Sequence, residues 1–124
     1  MSRNWIFLSA ALALFGGHAV AQQALVPRTF PPVQDDLAKH HIGPFAKPCL
    51  AIEGYVKPEL INKNIYQHWI RVTNSCSQNV KVQICYYKTD DCVLVSVSPY
   101  ERKEAILGIF PALRRFQFEA KEQF

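Results

Sequence analysis

The sequence has no apolar stretch of the roughly 20 residues that a transmembrane helix requires. Its longest mostly apolar stretch, WIFLSAALALF at 5–15, covers eleven residues, with Arg3 before it and the small residues AVA at 19–21 after it. A positive start, a short apolar core and small residues at the end are typical of a secretory signal peptide. We therefore predict a signal peptide over residues 1–21, cleaved before Gln22, and no transmembrane segment in the exported product.

The sequence also lacks a strong excess of either charge. Lysine and arginine total 14, and aspartate and glutamate total 10, which gives a net charge of +4. A nucleic-acid-binding protein needs basic residues clustered on one face, and the sequence offers no such footprint. The weak basic balance suits an acidic protein partner or an anionic component of the cell envelope. With the predicted export signal, it indicates a periplasmic or secreted protein that does not bind nucleic acid.

Cysteine pairs with the spacing of metal or redox sites are missing as well. Cysteines stand at positions 49, 76, 85 and 92, three of them within CSQNVKVQICYYKTDDCVLV. Zinc sites and thiol–disulfide centres favour cysteines separated by two residues, so we predict neither a metal nor another cofactor. In a short exported chain, four cysteines instead indicate two disulfides, for which three pairings exist.

The strand pattern around the cysteines favours one of these pairings. Cys76 precedes the predicted strand that carries Cys85 near its end, and the strand portion 79–85 extends about 20 Å. Disulfide-linked α-carbons lie about 4.4–6.8 Å apart, which nearly excludes a Cys76–Cys85 bond. Cys92 opens the returning strand beside Cys85. We therefore predict the pair Cys85–Cys92 and assign Cys49 to Cys76.

Short segments with alternating apolar residues dominate the chain after Pro48. In VKVQICY, the residues Val80, Val82, Ile84 and Tyr86 alternate with polar residues or cysteine, a period typical of a half-buried strand. We predict six strands, at 49–56, 65–73, 80–86, 92–98, 103–110 and 114–120.

Loop residues and glycine predict how these strands connect and bend. The last two strands are expected to form a hairpin across PAL, with Arg102 and Lys103 opposite acidic residues such as Glu119 and Glu122. Cross-strand charge pairs of this kind help to set the register of a hairpin. Gly54 predicts a β-bulge in the first strand.

Together the strands predict the fold class: an all-β, antiparallel β domain over residues 49–124, either a small sandwich or a barrel. Its rhythm of short strands resembles an immunoglobulin-like sandwich, although the Cys…Trp…Cys spacing of true members is missing. Prolines are frequent before this domain and predict an extended, proline-rich arm over residues 22–48. Within the arm, VQDDLAKHHIG at 33–43 favours a short helix with aspartates at its start and histidines at its end.

Motifs for nucleophilic catalysis are missing, since no serine lies in a GxSxG setting. Asp90 and Asp91 are interpreted as turn residues, because aspartate side chains hydrogen-bond to the local backbone. His40 and His41 are interpreted as cations at the end of the short helix, and His68 as a residue at the rim of the inner sheet face. We predict no catalytic residue. The competing hypothesis is a small envelope hydrolase that uses His68 with a nearby serine or aspartate.

Aromatic and basic residues on the predicted outer faces remain as candidates for binding, because such residues anchor protein interfaces. The predicted interaction surface consists of Tyr55, Trp69, Arg71, Tyr87, Arg114 and Arg115. For Trp69, the alternative is that its ring covers a second sheet. The sequence thus favours a non-enzymatic interaction or accessory module with a protein or anionic envelope partner. A further alternative is a structural envelope protein that self-assembles through the proline-rich arm or an open sheet edge.

Overall fold

The structure, a computed structural model, describes residues 28–34 and 38–124. The predicted signal peptide at 1–21 lies outside the described residues, as do the first residues of the predicted arm and three positions of its predicted helix. Within the described ranges, no helix is long and apolar enough to cross a membrane.

Six antiparallel strands form two three-stranded sheets, as the all-β prediction requires. The strands are β1 (Leu50–Pro58), β2 (Ile65–Asn74), β3 (Val80–Tyr86), β4 (Cys92–Val97), β5 (Arg102–Pro111) and β6 (Phe118–Gln123). One sheet has the order β1-β2-β5 and the other the order β4-β3-β6. The two sheets pack face to face in a sandwich-like arrangement with apolar residues between them.

The predicted hairpin between the last two strands is wrong. β5 pairs with β2 in the first sheet, whereas β6 pairs with β3 in the second. Hydrogen bonds in the intervening segment explain the crossing: the Ala112 amide donates to the Asn64 carbonyl, and the Tyr87 amide donates to the Gln117 carbonyl. Because the chain changes sheets here, the predicted charge pairs between β5 and β6 do not form, and Arg102 instead lies opposite Thr73 of β2.

The core lies between the inner faces of the two sheets. Its fully or almost fully buried residues are Ile70, Val72, Val82, Ile84, Val95, Val97 and Phe118. The six aliphatic residues alternate along β2, β3 and β4, because successive side chains of a strand point to opposite faces, and Phe118 opens β6. Burial of each such side chain contributes about 1.5–3 kcal/mol, so this inner layer dominates the stability of the domain.

Both predicted disulfides are confirmed. Cys49–Cys76 joins the start of β1 to the turn before β3, with α-carbons 5.3 Å apart. Cys85–Cys92 joins directly opposed residues of β3 and β4, with α-carbons 4.0 Å apart. The antiparallel register places the two bonds at opposite ends of the sandwich. Cys85 is buried, although it alternates with the inward-facing Val82 and Ile84 of the same strand.

The described part of the arm lies along the edge formed by β1 and β6. The Phe30 amide donates to the Gly54 carbonyl at 2.9 Å, and the Gly54 amide donates to the Phe30 carbonyl at 2.8 Å. A Cβ atom at Gly54 would lie 2.6 Å from the Phe30 ring and 2.7 Å from the Phe118 ring. The bulge predicted at Gly54 is therefore wrong: β1 pairs with β2 in continuous register there, and the glycine makes room for an aromatic ring of the arm.

The C-terminal part of the arm does not form the predicted helix in its described residues. The only helical turn there is a short 3₁₀ turn at Pro44–Ala46. Side-chain bonds explain why an extended path is stable. The nearly buried carboxylate of Glu122 accepts hydrogen bonds from the His41 amide at 2.8 Å and contacts the imidazole of His40 at 2.6 Å. The histidines thus attach the arm to β6 instead of ending a helix.

Candidate functional site

The residues of the predicted interaction surface lie in three separate places. Tyr55, Trp69 and Arg71 share the outer face of the β1-β2-β5 sheet, because Trp69 and Arg71 alternate with buried residues of β2, Tyr55 is paired with Trp69, and the Arg71 guanidinium lies over the Tyr55 ring. Tyr87 and Arg115 line a cleft at the end of the sandwich. Arg114 lies over the Tyr66 ring, with 5.7 Å between its guanidinium carbon and the ring centroid. Arg114 is separate from the other five residues. The structure therefore offers two candidate sites, the outer sheet face and the cleft, and not one continuous surface.

Aromatic rings and cations are stacked on the outer face in a group that we call the outer-face cluster. Its members are Tyr55, Lys57, Trp69, Arg71 and Glu104. The Tyr55 and Trp69 rings are stacked with centroids 6.2 Å apart and an angle of 10° between their planes. The register of β1 and β2 produces this stack, because it sets the two residues directly opposite each other.

Two cations cover the rings of the outer-face cluster. The Lys57 ammonium lies 4.8 Å from the Trp69 ring centroid, and the Arg71 guanidinium lies 5.0 Å from the Tyr55 ring centroid. Each such contact is worth about 0.5–1 kcal/mol at an exposed site. The contacts hold both long side chains against the sheet and leave the Trp69 ring half-buried.

Glu104 connects the cluster through two hydrogen bonds. Tyr55 donates its hydroxyl to Glu104 Oε2 at 2.9 Å, and Arg71 donates Nε–H to Glu104 Oε1 at 3.0 Å. The bond from Tyr55, followed by that from Arg71, holds the pKa of Glu104 below its usual value. Burial and the adjacent Glu104 carboxylate raise the pKa of the Tyr55 hydroxyl. Glu104 therefore stays ionised and Tyr55 protonated at neutral pH, which keeps the geometry fixed.

Tyr55, a member of the predicted interaction surface, is less exposed than that prediction requires. Tyr55 has no exposed surface. It packs against the Trp69 ring and is not available as a contact residue itself. On β5, Ile106 lies opposite Trp69, and Ile109 lies opposite Gln67. These isoleucines are 38% and 49% exposed and extend the face with apolar surface. Sequence reasoning missed them because it paired β5 with β6 and not with β2.

A second site is a cleft of about 850 Å³ at the end of the sandwich that carries the Cys85–Cys92 bond. We call it the arginine-rimmed cleft. Its walls come from arm residues 28–33, from the ends of β2, β3 and β5, and from the segment before β6. Among its lining residues are His68, Tyr86, Phe110, Leu113, Arg115 and Phe116.

His68 forms the floor of this cleft and is fully buried, so its predicted position at the rim is wrong. Its Nε2 lies 2.9 Å from the Leu113 carbonyl oxygen, and its Nδ1 lies 2.9 Å from the Tyr86 hydroxyl. A carbonyl oxygen only accepts, so Nε2 carries the proton and the Tyr86 hydroxyl donates to Nδ1. Burial, followed by the charge of Asp91, raises the pKa of Tyr86 to about 12, which keeps this donor protonated.

The surroundings of His68 differ from those of a hydrolase centre. Both ring nitrogens are engaged, and neither partner is a serine or an aspartate. Asp90 and Asp91 are exposed in the turn between β3 and β4, as their interpretation as turn residues implies. The imidazole also stacks on the Phe116 ring, with centroids 4.4 Å apart. His68 is thus a hydrogen-bonded member of an aromatic floor.

Metal ligands do not converge within the part of the chain that the structure describes. That part contains no group of three or more histidine, cysteine, aspartate or glutamate side chains able to hold a metal ion. The contact of His40 and His41 with Glu122 is a set of hydrogen bonds, and His41 additionally stacks on the Phe124 ring at 4.1 Å between centroids.

Comparison of the chain with known protein families finds no matching family, and comparison with curated proteins finds no significant relative. Function must therefore be argued from the two sites themselves.

Proposed function

We propose that the protein is an exported, non-enzymatic interaction module that binds a partner protein through the outer face of the β1-β2-β5 sheet. The observation that carries the proposal is the position of Trp69. Its half-buried ring lies on the sheet face turned away from the core, between the cation of Lys57 and the exposed Ile106 of β5. Tryptophan is enriched in binding hot spots, which cluster near the centre of protein interfaces.

The pre-formed cluster reduces the cost of binding. Ordering a free side chain at an interface costs about 0.5–1.5 kcal/mol, and the Trp69 indole is already held by the stacked Tyr55 ring and by a hydrogen bond from Nε1 to Gln67 at 3.0 Å. Charges of both signs surround it, since Arg71 bonds to Glu104. A mixed polar rim around an apolar centre favours a folded protein partner over a uniformly anionic polymer.

Export is part of the same proposal. The predicted signal peptide at 1–21 would direct the chain out of the cytoplasm, and two disulfides are typical of proteins that fold in an oxidising compartment. We place the protein in the periplasm or outside the cell. The two antiparallel sheets also support an immunoglobulin-like architecture, in which outer sheet faces are available for contacts.

Affinity capture with the tagged, exported protein tests the proposal. We expect wild-type protein to retain a partner that the Trp69→Ala and Ile106→Asp variants lose. The matched control is Leu94→Asp, which places a charge at an exposed leucine of β4 in the other sheet. Equal recovery from all four proteins would contradict the use of this face.

Self-assembly is the second candidate, because β5 pairs only with β2 and its other edge is free of strand partners within the described residues. Sedimentation over a range of concentrations distinguishes it: a monomer throughout would reject self-assembly. The hydrolase hypothesis has no comparable support, since the bonds of His68 lead to a tyrosine and a backbone carbonyl.

A further inference from the structure

The arginine-rimmed cleft has the dimensions and construction of a small-molecule site. Its volume of about 850 Å³ falls within the roughly 300–1,000 Å³ typical of ligand pockets. Its lining comes from the arm, from both sheets and from the segment that joins them. Such a cleft is separate from the outer-face cluster, so its role does not depend on the partner proposed for that face.

Aromatic rings that already pack on one another form the cleft floor. Phe116 stacks on His68 and meets the Phe30 ring edge-on, with centroids 4.9 Å apart and planes at 78°. The Tyr86 and Phe110 rings meet edge-on at 5.6 Å. Gly108 allows this packing, because a Cβ atom there would overlap the Tyr86 hydroxyl. The floor is thus mainly aromatic, and its polar side-chain atoms are hydrogen-bonded: His68 Nδ1 to the Tyr86 hydroxyl and His68 Nε2 to the Leu113 carbonyl.

The charge of the cleft is one-sided. Arg28 from the arm and Arg115 from the segment before β6 both line it, and both residues are exposed. The lining residues that the structure describes include no aspartate or glutamate. In the described part of the chain, neither arginine lies within ion-pair distance of a carboxylate, in contrast to Arg71 on the outer face. A guanidinium next to apolar walls binds carboxylate, sulfonate or phosphate groups through charge-assisted hydrogen bonds.

We propose that this cleft binds a small anionic amphiphile: a molecule with an apolar aryl or acyl body and one carboxylate, sulfonate or phosphate group. The body lies on the rings of Phe116 and Phe30, and the anionic group contacts Arg115 and Arg28. His68 serves as part of the floor, because its two nitrogens are already occupied.

Adjacent arginines provide a matched test of this proposal. Arg115 lines the cleft, whereas Arg114 lies over the Tyr66 ring and does not belong to the lining. Both are exposed, so neither substitution to alanine removes core packing. Calorimetric titration of the exported, disulfide-bonded protein would use two anionic probes, 8-anilinonaphthalene-1-sulfonate for an aryl body and decanoate for an acyl body, with decanol as the neutral analogue.

We expect saturable binding of at least one anionic probe and weaker binding of decanol than of decanoate. Arg115→Ala should weaken the binding of that anion about tenfold, because one charge-assisted hydrogen bond is lost, and Arg114→Ala should change it by less than about twofold. Binding of only the sulfonate or only decanoate would identify the body as aryl or acyl. The proposal is overturned if neither anion binds saturably, if both arginine variants lose affinity equally, or if decanol binds saturably and as tightly as decanoate.

Discussion

The outer-face cluster and the arginine-rimmed cleft both combine aromatic rings with arginine, and they differ in how the arginine charge is balanced. On the outer face, Arg71 bonds to Glu104 and lies over Tyr55, so that its charge is compensated within the chain. In the cleft, Arg28 and Arg115 have no acidic neighbour among the lining residues within 28–34 and 38–124. A compensated aromatic surface suits a protein contact, whereas an uncompensated arginine above an apolar floor suits an anionic ligand.

The two sites also depend on different parts of the fold. The outer-face cluster lies on three neighbouring strands of one sheet, so the pairing of β1, β2 and β5 is enough to build it. The cleft requires the arm, both sheets and the segment 112–117 to come together. Changes to the arm or to that segment should therefore affect the cleft and spare the outer face.

Removal of the Cys49–Cys76 disulfide should give the largest effect, and comparison with removal of Cys85–Cys92 separates the two ends of the sandwich. Loss of Cys49–Cys76 opens a loop with a sequence separation of 27, which in the chain-entropy treatment costs about 3.5 kcal/mol of unfolding free energy. Loss of Cys85–Cys92, with a separation of 7, costs about 2.4 kcal/mol. Urea denaturation of the two double serine variants measures this difference. A larger loss of stability without Cys85–Cys92 than without Cys49–Cys76 would contradict the assignment of the larger stabilisation to Cys49–Cys76.

Substitution of the cleft floor should follow in size. His68→Ala removes a fully buried ring and leaves the Leu113 carbonyl and the Tyr86 hydroxyl without their partner. We expect a loss of about 3 kcal/mol in the free energy of unfolding. The matched control is His40→Ala, a histidine whose side chain is 48% exposed. If both variants unfold at the same denaturant concentration, His68 does not have the packing role described above.

A methyl group added beneath the arm should produce an intermediate effect. In Gly54→Ala, the new Cβ would overlap the Phe30 and Phe118 rings, at a cost of about 2 kcal/mol. Because Phe30 also lines the cleft, the variant should bind the anionic probes more weakly and expose the arm to limited proteolysis. Ala51→Ser, at an exposed position of the same strand, is the control. An unchanged cleavage pattern in Gly54→Ala would argue against the docking of Phe30.

The smallest expected effect concerns the acidic member of the outer-face cluster. The folded pKa of Glu104 lies below its ordinary value of 4.5, so its stabilising contribution is present above that value and is lost as the pH falls through the folded pKa. Exposure limits the contribution to a few tenths of a kcal/mol. Glu104→Gln should therefore reduce the stability difference between pH 7 and pH 3 by about that amount. If Glu104→Gln lost more stability in acid than the wild type, the stabilising role assigned to the ionised Glu104 would be wrong.

Local patterns in the sequence were enough to predict the first five strands and both disulfides, whereas the last strand, predicted at 114–120, is observed at Phe118–Gln123. The period of two in VKVQICY and the distance along that strand identify its buried face and exclude Cys76–Cys85, and both depend only on neighbouring residues. The same reasoning placed Trp69 and Arg71 on an outer face. Ile106 was missed because its role depends on which strand pairs with β5, a contact between distant parts of the chain.

The cleft could not be predicted from local sequence patterns, because it also depends on contacts between distant parts of the chain. Local spacing gives no sign that residues 112–117 cross between the sheets or that Phe30 fills the space at Gly54. The short helix predicted from its charge pattern failed because Glu122, far along the chain, binds the two histidines that were expected to end it. Long-range hydrogen bonds outweighed a weak local preference.

Site-specific photo-crosslinking is the most direct test of the outer face as a protein interface. A benzophenone side chain would replace Ile109, which is 49% exposed on β5, and in a second protein Leu94, which is 64% exposed on β4. After irradiation of cells that export the protein, we expect a discrete adduct with a second protein from position 109 and none from position 94. Adducts from both positions alike, or from position 94 alone, would contradict the proposed function.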